Sequence, residues 1–128
     1  MLITHTKPLY VPLGKKLQQI SKQYYSDASK MLEDKGYRGL SLAHTALVFN
    51  LDENGTKCTT VTNRAGIKRQ SMAQFADDLE RLNYIQRIDD PNDKRAQIFV
   101  FTEAGKKFTK EVKEICNQLD QRYKLALQ

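Results

Sequence analysis

The chain has 128 residues, 40% of them apolar, and a formal charge of +6. That length fits one domain with a core of its own, and the positive balance favours a polyanionic partner, nucleic acid ahead of an anionic membrane surface. The amino-terminal run Met1-Leu2-Ile3-Thr4-His5-Thr6-Lys7 is too polar for a secretory leader, and nothing approaches a membrane-spanning stretch. Cys58 and Cys116 have no paired spacing, which argues against a disulfide framework and a zinc site. The expectation is a reduced, soluble, cytoplasmic protein with no membrane partner.

Residues 1–11 read as an irregular lead-in, because Pro8 and Pro12 limit helix there. Leu13, Leu17, Ile20, Tyr24, Ala28 and Met31 then recur at spacings of four and three, the period of one helical face. Pro12 suits the first turn of that helix, where its missing N–H costs nothing, and Gly36 is the expected stop. Ser41 is a good N-cap for a second helix carrying Leu42, Ala46, Leu47, Phe49 and Leu51. Asn54-Gly55 marks a turn. Thr56 to Ala65 stays open: Val61 and Ala65 are spaced for a short helix, while Thr59, Thr60 and Thr62 lower helix propensity.

After Gly66 the helical period returns from Lys68 to Asn83. Met72, Phe75, Ala76, Leu79 and Leu82 form its buried stripe, and Arg69, Gln70, Ala73, Gln74, Asp77 and Arg81 its polar face. The period then changes to two in Tyr84–Ile88 and Gln97–Phe101, which predicts a hairpin around the polar turn 89–95. Thr102 caps a last helix striped by Phe108, Val112, Ile115, Leu119 and Tyr123. Helical to Leu127, it would extend roughly 35–40 Å.

Short helix, glycine turn, polar-faced helix and hairpin have the form of a helix-turn-helix followed by a wing. Such a motif seats one apolar helix face and presents polar and cationic side chains at the helix N-terminus to base edges in the major groove. Here those residues are Lys68, Arg69, Gln70 and Ser71, with Gln74 one turn on. Arg pairs in bidentate fashion with guanine and Gln with adenine, while Ser71 and the helix amides suit phosphate. Lys94 and Arg95 at the hairpin suit the minor groove or its phosphates.

Three stretches carry a family resemblance: Ala65-Gly66-Ile67-Lys68-Arg69-Gln70-Ser71; Asp78-Leu79-Glu80-Arg81-Leu82-Asn83-Tyr84-Ile85; and Asp90-Pro91-Asn92-Asp93-Lys94-Arg95 followed by Thr102-Glu103-Ala104-Gly105. With them, residues 40 to 108 resemble a MarR-family regulator. The resemblance implies a mainly α winged helix-turn-helix with a two-stranded wing, joined as a two-fold homodimer through the first and last helices. It implies sequence-specific binding of double-stranded DNA at a near-palindromic operator, repression of a nearby operon and release by a small-molecule effector. In the wing it makes Asp93 and Arg95 the positions that matter, with Asp93 orienting an arginine, since a carboxylate beside phosphate is repelled. Lys68 departs from the Ser-like cap usual in the family, Thr62 from the usual alanine, and the C-terminus is shorter.

One domain is expected over 1–128, with a DNA-binding core at 41–101 and dimerisation helices at 1–37 and 102–128. Two long helices at opposite ends of a small winged domain are hard to bury within one chain, so Leu13, Leu17, Ile20, Tyr24, Val112, Ile115 and Leu119 are read as dimerisation residues. The competing function is a protein-interaction module on the same fold, which would bind DNA without sequence preference. An enzyme is not expected, since no Ser/His/Asp set, phosphate-binding glycine loop or metal spacing is visible, and no cofactor or metal is implied. His5 and His44 are isolated. A helix histidine is the simpler reading of His44, and packing the simpler reading of Tyr24, Tyr25 and Tyr37, against a place in a ligand pocket. The peroxide-sensing branch of the family carries its cysteine in the first helix, and this chain has none there, which leaves Cys58 and Cys116 as ordinary thiols.

Overall fold

The computed structural model describes residues 8–127, with side chains described as far as Leu125; His5 and the lead-in up to Lys7 lie outside it. The chain runs α1 (Leu13–Asp34), a 3-10 turn (Leu42–His44) leading into α2 (Thr45–Val48), β1 (Thr56–Lys57), α3 (Cys58–Ala65), α4 (Arg69–Arg81), β2 (Ile85–Asp90), β3 (Asp93–Phe101) and α5 (Glu103–Leu127). It is mainly α with a small antiparallel sheet, as the periods predict.

Three local expectations change. The second helix is shorter than expected, because its first turn is 3-10 and it ends at Val48. The threonine-rich stretch divides. Thr56 and Lys57 pair with Phe99 and Ile98 as a third strand, and Cys58 starts a helix that ends on the left-handed Gly66. The sheet therefore has three strands in the order β1-β3-β2, not two. Thr62 returns its hydroxyl to the Cys58 carbonyl at 2.9 Å, which satisfies the polar group of a residue that weakly favours helix.

A single apolar cluster joins Ala28 and Leu32 of α1, Leu47 and Val48 of α2, Val61 of α3, Met72, Ala76 and Leu79 of α4, and Phe108, Val112, Ile115 and Leu119 of α5. Each large side chain so enclosed contributes about 1.5–3 kcal/mol. This corrects part of the expected dimer surface. Val112, Ile115 and Leu119 are 0% exposed within one chain, because α1 and α5 pack on each other. A helical stripe reports burial but not the molecule that provides it. Two crossed pairs fasten the same seam: Tyr24 donates to Asp120 at 2.8 Å and Tyr123 to Asp27 at 2.5 Å. In contrast, Leu13 is 69% and Leu17 47% exposed, with Ile20 and Tyr24 half-buried.

The joint between α4, the hairpin and α5 explains the threonine–glycine signature. Leu82 caps α4 and Asn83 follows at φ 64. Asn83 N–H returns to the Glu80 carbonyl and Tyr84 N–H to the Leu79 carbonyl, both at 2.9 Å, a Schellman closure with Asn in place of Gly. Thr102 then caps α5. Its hydroxyl accepts from Gly105 N–H at 2.9 Å and donates to the Asn83 carbonyl at 2.6 Å. A Cβ at Gly105 would stand 1.8 Å from the Tyr84 carbonyl oxygen, so no side chain fits.

Candidate nucleic-acid interface

The Gly66 turn delivers α4 at Lys68, its N-cap. No side chain caps this terminus, as the missing Ser-like residue predicts, so the first amides of α4 remain available to an anion. Lys68, Arg69, Gln70, Ser71 and Gln74 are all exposed around this end. Met72, Ala76 and Leu79 seat the opposite face in the core.

The hairpin turns on Pro91-Asn92, tighter than the expected 89–95 loop, and Asp90 accepts from Asn92 N–H at 2.9 Å. The strand register then steps from Asp89↔Gln97 to Asp90↔Asp93. Lys94, Arg95 and Ala96 therefore fall in a bulge on β3 rather than in the turn itself. Asp93 accepts from the Arg95 backbone N–H at 3.0 Å. The carboxylate thus orients Arg95 through the backbone, and the guanidinium stays exposed.

Charge pairing separates the cations of residues 41–101 into two groups. Arg87 donates to Asp77 at 2.5 Å and to Glu80 at 3.3 Å, and so ties β2 to the back of α4. Arg64 pairs with Asp52 at 3.0 Å, Arg81 with Asp78 at 3.1 Å, and Lys57 with the buried Asp90 at 3.6 Å. Among the described residues, Lys68, Arg69, Lys94 and Arg95 make no ion pair. Four cations carried by α4 and the wing, with no carboxylate partner, are equipped to meet an external anion.

Sequence reasoning missed His44 and Asp78. His44 is buried, packs against Phe75 with ring centroids 5.0 Å apart, and binds Asp78 through Nε2 at 2.9 Å. That bond, first among its causes, holds the Asp78 carboxyl below the usual carboxylate range. The two residues are 34 apart in the chain, and no local pattern signals the pairing. Ser41, His44 and Asp78 do form a hydrogen-bonded line, a set that the sequence does not betray. Ser41 contributes its backbone N–H as well as its hydroxyl to Nδ1, so the line closes a capping box rather than activating a nucleophile.

Two clefts flank this region. One, of about 410 Å³, lies between the helix-turn-helix and the sheet and is lined by Cys58, Thr62, Arg69, Met72, Arg87 and Phe99. The other, of about 360 Å³, runs from the end of α2 to α5, where Phe49, Leu51 and Phe101 meet Lys106, Lys110 and Lys113. His44, Tyr24, Tyr25 and Tyr37 line neither. Tyr37 stacks edge-on to Phe108, and Tyr84 lies flat on the same ring, both with centroids 4.9 Å apart. Burial pushes the thiols of Cys58 and Cys116 upward, away from a reactive thiolate. Among the described residues, no cluster of His, Cys, Asp and Glu is placed to hold a metal, and no helix is long and apolar enough to cross a membrane.

A short helix, a glycine turn, an apolar-seated second helix with an exposed cationic start, and a two-stranded wing whose sheet gains β1 as a third strand define a winged helix-turn-helix protein. Residues 38–96 match the family model described as MarR family. Solved structures share the fold. The reduced form of MarR from E. coli superposes with a TM-score of 0.77 at 16% identity, over 94% of this chain and 88% of that one. CouR from Rhodococcus jostii RHA1, bound to p-coumaroyl-CoA, gives 0.76 at 20% identity, over 92% and 82%. BpsR of Bordetella bronchiseptica, whose DNA binding is regulated by 6-hydroxynicotinic acid, gives 0.76 at 16% identity, over 92% and 83%. No curated protein sequence matches the chain.

Proposed function

We propose that this chain is a sequence-specific double-stranded-DNA-binding transcriptional repressor that acts as a homodimer on a near-palindromic operator. The carrying observation is the set of unpaired cations Lys68, Arg69, Lys94 and Arg95 on α4 and the wing, beside arginines that are paired. In this reading Lys68, Arg69, Gln70, Ser71 and Gln74 enter the major groove. Lys94 and Arg95 meet the minor groove or its flanking phosphates, with Asp93 setting the backbone of Arg95. Two copies place their recognition helices in successive major grooves about 34 Å apart. Residues 41–101 act as the DNA-binding core, and the helices within 1–37 and 102–128 as the dimerisation part.

The exposed apolar side chains Leu13 and Leu17 at the start of α1, Tyr10 just before it and Leu125 near the end of α5 support the dimer, because apolar area left in water is an unspent source of association energy. A small-molecule effector acts, in the same reading, by binding one spacing of the two recognition helices better than the other.

Fluorescence anisotropy of the chain against duplexes from its own upstream region, with scrambled duplexes and a salt series, tests the proposal. The expected result is binding at least about a thousandfold tighter than to scrambled DNA, falling steeply with salt. Weak, equal binding to both duplexes favours the protein-interaction module.

A further inference from the structure

Asp78 sits where the seated part of α4 meets its exposed face, and its two oxygens do different work. Oδ2 accepts from His44 Nε2 at 2.9 Å. Oδ1 accepts from Gln74 Nε2 at 3.2 Å and from Arg81 at 3.1 Å. His44 is fixed in turn. Ser41 N–H donates to its Nδ1 at 3.1 Å, which leaves the ring proton on Nε2, the nitrogen that faces Asp78. The ring is buried against Phe75, so the line has little room to move.

A carboxylate only accepts hydrogen bonds. Asp78 therefore holds Gln74 by its amide nitrogen and never by its carbonyl, and Gln74 Oε1 is turned away, on an exposed side chain. In the major groove a carbonyl oxygen accepts from the exocyclic amines of adenine and cytosine and is repelled by the keto oxygens of guanine and thymine. The second N–H of the amide can also reach N7 of adenine, which places adenine first. We propose that Gln74 is a specificity-determining residue that selects an amino base, adenine before cytosine, at one position of each half-site, its amide pre-set by the line Ser41–His44–Asp78. Setting the rotamer before binding removes an ordering cost from the recognition step. This inference rests on α4 being the recognition helix.

The test starts by selecting a binding site from a pool of randomised duplexes. Anisotropy is then measured on a panel of single base-pair changes across the selected site. For the wild type, one position per half-site favours adenine or cytosine over guanine or thymine by about tenfold. Gln74→Ala removes that preference and leaves the other positions unchanged. Asp78→Asn still accepts from His44 but presents its amide N–H to Gln74, which turns the glutamine amide over and moves the preference toward guanine or thymine. Asp78→Ala frees the side chain and brings the four bases toward parity; it decides the matter if thermal melting shows that the asparagine variant does not fold. Unchanged profiles in the folded Asp78 variants overturn the positioning, and a wild-type preference for a keto base at the Gln74-dependent position overturns the orientation. A Gln74→Ala profile identical to wild type overturns the assignment of Gln74. A wild-type chain that enriches no site from the pool overturns the DNA-reading proposal itself.

Discussion

The two halves of α4 are built to opposite rules. From Phe75 onward the helix is tied on every side: Asp78 to His44, Asp77 and Glu80 to Arg87, and the last carbonyls to the Asn83 turn. From Arg69 to Gln74 it has no side-chain cap and no ion pair, and of its polar side chains only Gln74 is held, by a bond from its own helix. One continuous helix thus combines an anchored base with an open end. On the proposed reading, the polar groups meant for DNA are left free of internal partners, and the rigidity needed to aim them is supplied behind them.

The largest effect is expected at the far end of the anchored half. Gly105→Ala forces a Cβ onto the Tyr84 carbonyl and should cost about 3 kcal/mol, read as a lower urea midpoint. A midpoint within error of wild type would mean that the α4–wing–α5 joint yields. Arg87→Ala leaves Asp77 and Glu80 unanswered and should cost about 1–2 kcal/mol in the same measurement. On the open end the effects move from stability to binding. Arg95→Ala should weaken every duplex by about tenfold and lower the salt slope by about 0.9, the signature of one lost phosphate contact, with no change in melting. A drop in melting temperature would show that Arg95 belongs to the anchored half.

Lys68→Ser makes the contrast explicit. A hydroxyl at the N-cap should stabilise by about 0.5–1 kcal/mol while the lost cation weakens DNA binding, so the two readouts move in opposite directions. The smallest effect is in pH. Bonds from His44, Tyr123 and Arg64 lower the folded-state pKa values of Asp78, Asp27 and Asp52 respectively. The stability they carry is complete above the ordinary carboxylate value of about 3.9 and is lost as pH falls through the lower folded values. Tyr24 and Tyr37, raised by burial, act in the other direction: their contribution is complete below about 10 and is lost as pH rises beyond it. Denaturation followed across pH should therefore weaken at both extremes, and Asp78→Asn should flatten the acid limb.

Much of this architecture follows from periodicity. The stripes of α1, α4 and α5, the hairpin and the threonine cap are local patterns, and local patterns survive folding. The strand Thr56–Lys57 is invisible to such reading because its reason to exist is Phe99, more than forty residues away. The short α3 is obscured by threonines, whose low propensity is outweighed when Val61 is buried. The stripe of α5 is read correctly as buried and wrongly as intermolecular at Val112, Ile115 and Leu119, because periodicity carries no information on which chain covers it. Of the proposed site, Arg69, Gln74 and Arg95 are picked out by residue type and position. His44 and Asp78 are not, since a lone histidine and one acid among fifteen acquire meaning only when the fold brings them together.

The closure at residues 83–84 and 102–105 has a consequence for how this protein can change over time. The chain leaves for the wing and returns at one tied point, where Thr102 N–H meets the Tyr84 carbonyl at 3.2 Å and its hydroxyl meets the Asn83 carbonyl. Beyond the buried Asp90, which Lys57 holds, the turn Pro91-Asn92 and the bulge Lys94-Arg95-Ala96 then behave as an interchangeable cassette. Its length and charge can be rewritten without the core registering the edit, so a lineage carrying this joint can acquire a new wing-tip contact in a single exchange.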